Sequence, residues 1–272
     1  MVRRLHEMSR SFTVATFNIG DYHPEAERLP EAERRRGEPP IGPVAEIVRG
    51  LSADYVMLQE VPSQAYLRAL AEGARHGYSE FREFFGSSGP GLGFLSRYPI
   101  GPVSLDLDWP QGVMMGAAAV QSVAAGRSVV LCNVHLPPVE KTRDDEGYVR
   151  VGVGELARIL YRELAGETER SRGVDALVDG LRSVPSDAVV VGGDFNTVFL
   201  AKAIRSMRKQ FFDSVQSTPS FFRRSYSKIR TILPARVDYL FYRDSLAVEY
   251  STIVHRTAGD HYPVVATFAH SR

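Results

Sequence analysis

The chain has 272 residues, enough for one large α/β domain or two small ones. Hydrophobic residues make up 44% and charged residues 24%, as in an ordinary soluble globular protein, and a net charge of +1 excludes an overall electrostatic bias toward nucleic acid or membrane. The single cysteine, Cys132, excludes intramolecular disulfides and Cys-cluster zinc sites.

The first element is a strand over Phe12–Asn18 (FTVATFN), short, rich in β-branched and aromatic residues and ending in a polar amide. Arg3 and Arg4 precede it without the apolar segment of a secretory signal, and no stretch reaches the ~18 apolar residues of a membrane span. A cytoplasmic location is the simplest expectation. A charged, proline-bearing segment, Glu25–Pro40, reads as an insertion on the surface. A helix over Val44–Leu51 leads to a strand over Asp54–Glu60, and a second helix follows over Gln64–Glu72 with Ser63 as its N-cap. Strands are then predicted over Gly93–Ser96, Ala117–Val123 and Ser128–His135, and the polar segment Glu140–Arg150 reads as a second surface insertion. Either insertion could instead wall the mouth of a site. Helical patterns over Gly154–Leu164 and Val174–Leu181 precede an apolar strand, Ala188–Gly193. Strands over Val237–Tyr242, Ala247–Val254 and Val264–Phe268 complete the chain.

Many strands with helices interspersed imply an α/β sandwich of four layers, two mixed β-sheets flanked by helices. A single domain with its core in residues 11–268 is expected, without internal repeat or Gly/Ser linker.

The polar side chains capable of chemistry fall at strand ends. Asn18 closes the first strand, and Gln59 and Glu60 the second. Asn133 and His135 lie in CNVHL, Asp194 and Asn196 follow the apolar run of VVVGGDFN, Asp238 opens VDYLFY, and Asp260 and His261 precede the last strand in GDHYPVV. Strand ends converge on one rim of a sheet, so groups far apart in sequence can share a site. Taken singly, each has a plainer reading: an Asp or Asn after a strand is a common turn residue, and a His before a strand is commonly a structural hydrogen-bonding group. Glu60 is harder to explain so, because a carboxylate ending a buried run must be paired or metal-bound. Hard oxygen donors without cysteine suit Mg²⁺, Mn²⁺ or Ca²⁺ better than Zn²⁺.

With these motifs in order, the sequence resembles the endonuclease/exonuclease/phosphatase superfamily, which includes exonuclease III-type and pancreatic-type deoxyribonucleases, inositol polyphosphate 5-phosphatases and neutral sphingomyelinases. The matching segments are TFN at Thr16–Asn18, LQE at Leu58–Glu60, NVHL at Asn133–Leu136, GGDFN at Gly192–Asn196, RVDYLF at Arg236–Phe241 and GDHYPV at Gly259–Val264. Each is short, but six in order along nearly the whole chain are specific. The last motif departs from the usual Ser-Asp-His by having Gly259 in place of serine.

The resemblance implies a Mg²⁺-dependent phosphoesterase, with Mn²⁺ as a substitute. Glu60 would be the principal metal ligand, with Asn18 beside it and Asp260 near the metal. Asp194 would orient or deprotonate the attacking water, and Asn196 would hold the scissile phosphate. His261, oriented by Asp238, would contact the phosphate and stabilise the transition state. His135 would be a second phosphate contact and a candidate leaving-group acid, with Asn133 as a substrate contact. Such a division of labour suits phosphoryl transfer, which needs mainly positioning and charge stabilisation.

Several motifs are set aside. Gly152–Ala157 formally fits a dinucleotide-binding pattern, but no buried strand leads into it. Gly86–Gly93 is glycine-rich yet lacks the Lys-Ser/Thr of a phosphate-binding loop. Cys132 lies in an apolar strand and reads as a buried structural thiol.

The substrate depends on Lys202–Arg236. It carries Lys202, Arg205, Arg208, Lys209, Arg223, Arg224, Lys228, Arg230 and Arg236 against one acidic residue, Asp213, interleaved with Phe211, Phe212, Phe221, Phe222 and Tyr226. Such a mixture fits a nucleic-acid partner, with Arg223 and Arg224 as candidate substrate contacts. It also fits a solvated basic face over a buried Phe cluster, or a site for a lipid headgroup or inositol phosphate. A non-catalytic protein of the same fold is the reading from a different class, and the intact set of acidic, amide and imidazole residues argues against it.

Overall fold

The computed structural model describes residues 11–20, 39–75, 77, 78, 80–84, 91–107, 116–138, 158, 161–186, 188–227, 236–243 and 245–271. Nearly all of the first insertion, the whole of the second, and most of the helical pattern over Gly154–Leu164 lie outside these residues, as do Gly152–Ala157, Lys228 and Arg230.

In chain order the elements are β1 (Ser11–Asn18), α1 (Ile41–Leu51), β2 (Tyr55–Val61), α2 (Gln64–Ala74), β3 (Glu80–Phe84), β4 (Gly91–Ser96), β5 (Ile100–Val103), β6 (Ala117–Ala124) and β7 (Arg127–His135). They continue with α3 (Glu169–Arg182), β8 (Val189–Asp194), α4 (Lys202–Met207), β9 (Phe212–Asp213), a 3-10 turn at Pro219–Phe222, β10 (Asp238–Tyr242), β11 (Leu246–Ile253) and β12 (Val264–His270). They build two six-stranded sheets, ordered β11-β12-β1-β2-β4-β3 and β5-β6-β7-β8-β10-β9. Both sheets are mixed, each with one parallel pair at its centre, β1 with β2 and β7 with β8, and antiparallel pairs outward from it.

Three apolar layers hold this sandwich together. Phe12, Val14, Tyr55, Met57, Val120, Leu131, Val190, Leu240 and Phe268 fill the space between the sheets. Val44, Val48, Leu67 and Leu70 pack α1 and α2 onto the outer face of the first sheet, and Val174, Leu177, Leu181 and Ile204 pack α3 and α4 onto the second. Each fully buried side chain of this size stabilises the fold by about 1.5–3 kcal/mol. Local signals agree with the tertiary ones. Ser63 Oγ accepts the Tyr66 N–H at 3.1 Å and starts α2, and Thr168 forms a reciprocal capping box with Ser171 at the start of α3.

Three strands lie beyond those expected from the sequence: β3, β5 and β9. All are edge strands or end at one. β5 contains Pro102 and β9 has only two residues, so neither carries the apolar alternation that marks a covered strand.

Candidate active site

The two parallel pairs end on the same rim of the sandwich. Asn18 at the end of β1 registers with Gln59 of β2, and His135 at the end of β7 registers with Asp194 of β8. Asp238 opens β10 opposite Asp194, and His261 lies in the connection between β11 and β12. The strand ends thereby bring together Asn18, Glu60, His135, Asp194, Asp238, Asp260 and His261.

Asn18 joins the two sheets. Its Nδ2 donates to Glu60 Oε1 at 3.0 Å and to Asp194 Oδ2 at 3.1 Å, while its Oδ1 accepts the Gly20 N–H at 2.9 Å. With the oxygen used by the backbone and the nitrogen by two carboxylates, Asn18 is placed to orient Glu60, the residue beside which the resemblance puts it. Glu60 has a left-handed backbone (φ 58°) where the β2–β4 pairing is irregular. That kink turns its side chain, 30% exposed, toward solvent at the end of an otherwise buried strand. Gly20 makes this possible: a Cβ there would lie 1.7 Å from Glu60 Oε2. The strand-end pattern does not single out Gly20, although it follows TFN by only two residues.

Behind this rim, His261 Nδ1 lies 2.9 Å from Asp238 Oδ2, and its Nε2 lies 3.7 Å from Asp194 Oδ2 and 3.8 Å from Asp260 Oδ1. Burial alone would depress this imidazole. The charges of Asp238 and Asp194 and the hydrogen bond to Asp238 outweigh burial and hold it well above its ordinary range. His261 is therefore a buried cation between carboxylates. Burial pushes the Asp194 carboxyl up to about 7, against the opposing charge of His261. The opposite shift occurs at His135. Burial and the charge on His261 push it down to about 3, leaving a neutral ring. A neutral imidazole can donate a hydrogen bond but has no proton to give as an acid at neutral pH, so the leaving-group-acid expectation for His135 does not suit this environment. Among the described residues its buried Nε2 has no hydrogen-bond partner, and it lies 3.7 Å from Glu60 Oε1 and 3.6 Å from Asp194 Oδ2.

Asn196 has a left-handed backbone (φ 48°), donates its N–H to Asp194 Oδ1 at 2.8 Å and its Nδ2 to Leu136 O at 2.8 Å, and remains partly exposed. It combines the turn reading with a place at the cleft. Asn133 is elsewhere. It is wholly buried, receives Gln59 Nε2 at 2.6 Å and donates to Leu58 O at 2.9 Å and Gly93 O at 3.0 Å. Its amide ties the two sheets together inside the sandwich, so the expected substrate contact at Asn133 is corrected to an internal strut. Cys132, also buried, has its thiol pushed up to about 12 by burial, which leaves it unreactive.

The basic segment does not form one surface. Arg236, 1% exposed, pairs through both terminal nitrogens with Asp213, at 3.0 and 2.6 Å, and Arg208 joins the same carboxylate at 3.0 Å. Arg205 donates to the carbonyls of Leu200 and Leu164, and Lys202 pairs with Glu167. Phe211 is core. Arg223 and Arg224 are exposed and have no acidic partner among the described residues, next to Phe222, which is 73% exposed. This stretch runs into the site: the Tyr226 ring lies 4.8 Å from that of His261, and Ser227 donates its N–H to Asp260 O at 2.8 Å. In the sequence Tyr226 is one of several aromatics in the segment, because no pattern marks a ring that packs on a residue 35 positions later.

Among the described residues, one group offers ligand atoms close enough to share a metal ion: Asp194, Asp238 and His261, within 4.8 Å of one another. No helix among them is long and apolar enough to cross a membrane.

Solved structures share this fold. An endonuclease/exonuclease/phosphatase from Beutenbergia cavernae DSM 12333 is 18% identical with a TM-score of 0.68, covering 97% of this chain and 72% of that one. D. rerio TDP2 complexed with a single-strand DNA product is 16% identical (TM-score 0.62, 96% and 99% covered). The Bacteroides thetaiotaomicron mannosyl-6-phosphatase Bt3783 is 13% identical (TM-score 0.65, 95% and 99% covered). At these identities the likeness is one of fold. No curated protein sequence matches the chain significantly. The family model for the Endonuclease/Exonuclease/phosphatase family, however, matches residues 15–261, and the chain belongs to that family of phosphoester hydrolases.

Proposed function

We propose that the chain is a Mg²⁺-dependent phosphodiesterase acting on nucleic acid. The observation that carries the chemistry is the buried Asp194–His261–Asp238 network beside the solvent-facing Glu60. Asp194, held by Asn18 and the Asn196 N–H, is suited to accept a proton from an attacking water. His261 is a fixed positive charge for a phosphate in its transition state, kept in orientation by Asp238. Asn196 and neutral His135 supply hydrogen bonds to phosphate oxygens.

The residues fit a hard divalent cation. Glu60 offers an accessible carboxylate, and beside it the buried His135 Nε2 has no hydrogen-bond partner among the described residues. The Asp194–Asp238–His261 group fits less well, because His261 is cationic and its Nδ1 is taken by Asp238. Glu60 would hold Mg²⁺, or Mn²⁺ as a substitute, with Asp260 near it. A cation there would neutralise phosphate charge and lower the pKa of bound water.

The choice of nucleic acid is supported by Phe222, Arg223 and Arg224, an exposed ring and two exposed cations without an acidic partner among the described residues, in a stretch leading into the catalytic residues. A small or lipid-headgroup phosphate ester is the second reading, favoured by the internal pairing of Arg236, Arg208, Arg205 and Lys202. The two kinds of substrate occur among structures of this fold, in TDP2 bound to a DNA product and in a mannosyl-6-phosphatase.

The test is a panel of bis-p-nitrophenyl phosphate, DNA, RNA and phospholipid with added Mg²⁺, Mn²⁺ or Ca²⁺. EDTA-sensitive turnover is expected, and none on any substrate would defeat the enzyme reading. Reversing both charges, Arg223→Glu with Arg224→Glu, is expected to slow DNA cleavage by at least about tenfold at physiological salt while hydrolysis of the small ester stays within about twofold. Equal losses on both substrates would favour the second reading.

A further inference from the structure

A buried ion pair lies behind the cleft, outside the network described so far. Arg170, 8% exposed in the first turn of α3, donates from Nη2 to Glu163 Oε1 at 2.5 Å and from Nε to Glu163 Oε2 at 3.3 Å, and Glu163 is 6% exposed. A buried pair of this kind is no more stabilising than well-packed apolar residues of similar volume, so stability alone does not explain it. What it does with its remaining hydrogen-bonding capacity is specific. Glu163 Oε2 also accepts the Thr197 hydroxyl at 2.8 Å, and Arg170 Nη1 donates to Pro137 O at 2.9 Å. Thr197 directly follows Asn196, and Pro137 is two residues beyond His135. The two loops are also tied to each other, by Asn196 Nδ2 on Leu136 O at 2.8 Å and by Leu136 N on Asp194 O at 2.9 Å.

We propose that Glu163, Arg170 and Thr197 are positioning residues that brace the β7 and β8 exit loops and so fix Asn196 against the substrate phosphate. The proposal rests on the phosphoesterase reading above. Asn196 has a left-handed backbone, which asparagine adopts readily in a turn, and its N–H is held locally by Asp194 Oδ1 at 2.8 Å, so what is left to fix is the placement of its side chain. The brace acts on the residue next to it. Its ion pair comes from a helical turn at 161–165 and from α3, and among the described residues its hydrogen bonds go to Thr197 and Pro137 rather than to Asn196 or His135. The loops can therefore be set without any substrate contact from the pair.

Thr197→Val removes the hydroxyl and leaves the ion pair intact. With bis-p-nitrophenyl phosphate as substrate, kcat is expected to fall about tenfold, the scale of a sub-ångström misplacement, with KM within about twofold, and Thr197→Ser is expected to restore kcat. In an Asn196→Ala background, the same Thr197→Val change is expected to lower kcat by less than about twofold, because the side chain being positioned is gone. Equal losses in the two backgrounds, or no loss in the first, would overturn the brace. Should Thr197→Val fail to fold, the paired change Glu163→Met with Arg170→Met, which swaps a buried ion pair for apolar groups, carries the same comparison and the same expected outcomes. A wild-type protein inactive on every substrate defeats the phosphoesterase reading itself, whereas an active one with equal losses defeats only the brace.

Discussion

His261→Ala and Asp194→Asn are each expected to lower kcat by at least about 10²-fold, the scale of losing a general acid or base. The two losses have different causes. Asp194→Asn keeps the shape and the hydrogen bonds that Asn18 and the Asn196 N–H direct at this position, yet removes the group that accepts the proton. His261→Ala leaves Asp194 and Asp238 buried without the cation between them. The charge of His261 is the largest influence holding the Asp194 carboxyl down, so without it that carboxyl rises further above its position of about 7. A base works ionised, so the rate falls as pH drops through its pKa, and raising that pKa moves the acid limb to higher pH. The profile of His261→Ala should therefore lie both lower and displaced toward alkaline pH relative to wild type. The displacement carries the prediction, because a cation at Glu60 would lower Asp194 in both proteins alike. Near-normal kcat in either variant, or an acid limb in His261→Ala that does not move, would overturn the roles assigned to them.

The covered strands and the rim were legible because burial leaves a strong mark. Continuous apolar runs such as Val189–Val191 announce a strand covered on both faces, and a polar residue at the end of such a run marks the rim. Asn18, Glu60, His135, Asp194, Asp238, Asp260 and His261 stand together for that reason. Edge strands such as β3, β5 and β9 lack the mark, so the sequence does not announce them. Side-chain direction was harder still. Asn133 and His135 are two residues apart on β7, and periodicity puts both on the same face, yet one is sealed between the sheets and the other reaches the rim. The difference is set by depth below the end of the sandwich, which depends on the partner sheet. The basic segment shows the same limit. Nine cations in a row of sequence look like a surface, but Arg236 and Arg208 turn inward to a single buried carboxylate, Asp213. Only the folded partner reveals which charges are already compensated. Gly20, Ser225 and Thr197 left no chemical signal at all. Ser225 Oγ accepts the N–H groups of both Val237 and Asp238 at 2.9 Å, a role that any buried serine of the chain could have had.

The paired glycines of VVVGGDFN lead to the largest expected effect on stability. Gly193 has φ 154°, and a Cβ there would lie 1.8 Å from Val134 O and 2.7 Å from Val134 C. These are backbone atoms of the neighbouring parallel strand, in register with Gly193, and they cannot swing aside. Gly193→Ala must push β7 and β8 apart at the centre of the second sheet. A cost above about 4 kcal/mol is expected, in the exceptional range for a single substitution. For a domain of this size that lowers the thermal midpoint by on the order of 10 °C or prevents folding. Gly192→Ala is the control. Its Cβ would meet Met57 Cε at 2.3 Å and Leu240 Cδ2 at 2.5 Å, the ends of flexible side chains that can repack. Overpacking of that kind costs about 1–3 kcal/mol. The residues after this contact are His135 and Asp194, opposite one another in the same register. Whatever fraction of Gly193→Ala folds should therefore also have lost kcat, while Gly192→Ala keeps most of it. A Gly193→Ala protein that melts within about 2 °C of wild type, or no lower than Gly192→Ala, would show that the strands can part cheaply. The close approach of β7 and β8 would then not be what sets Asp194 and His135 side by side.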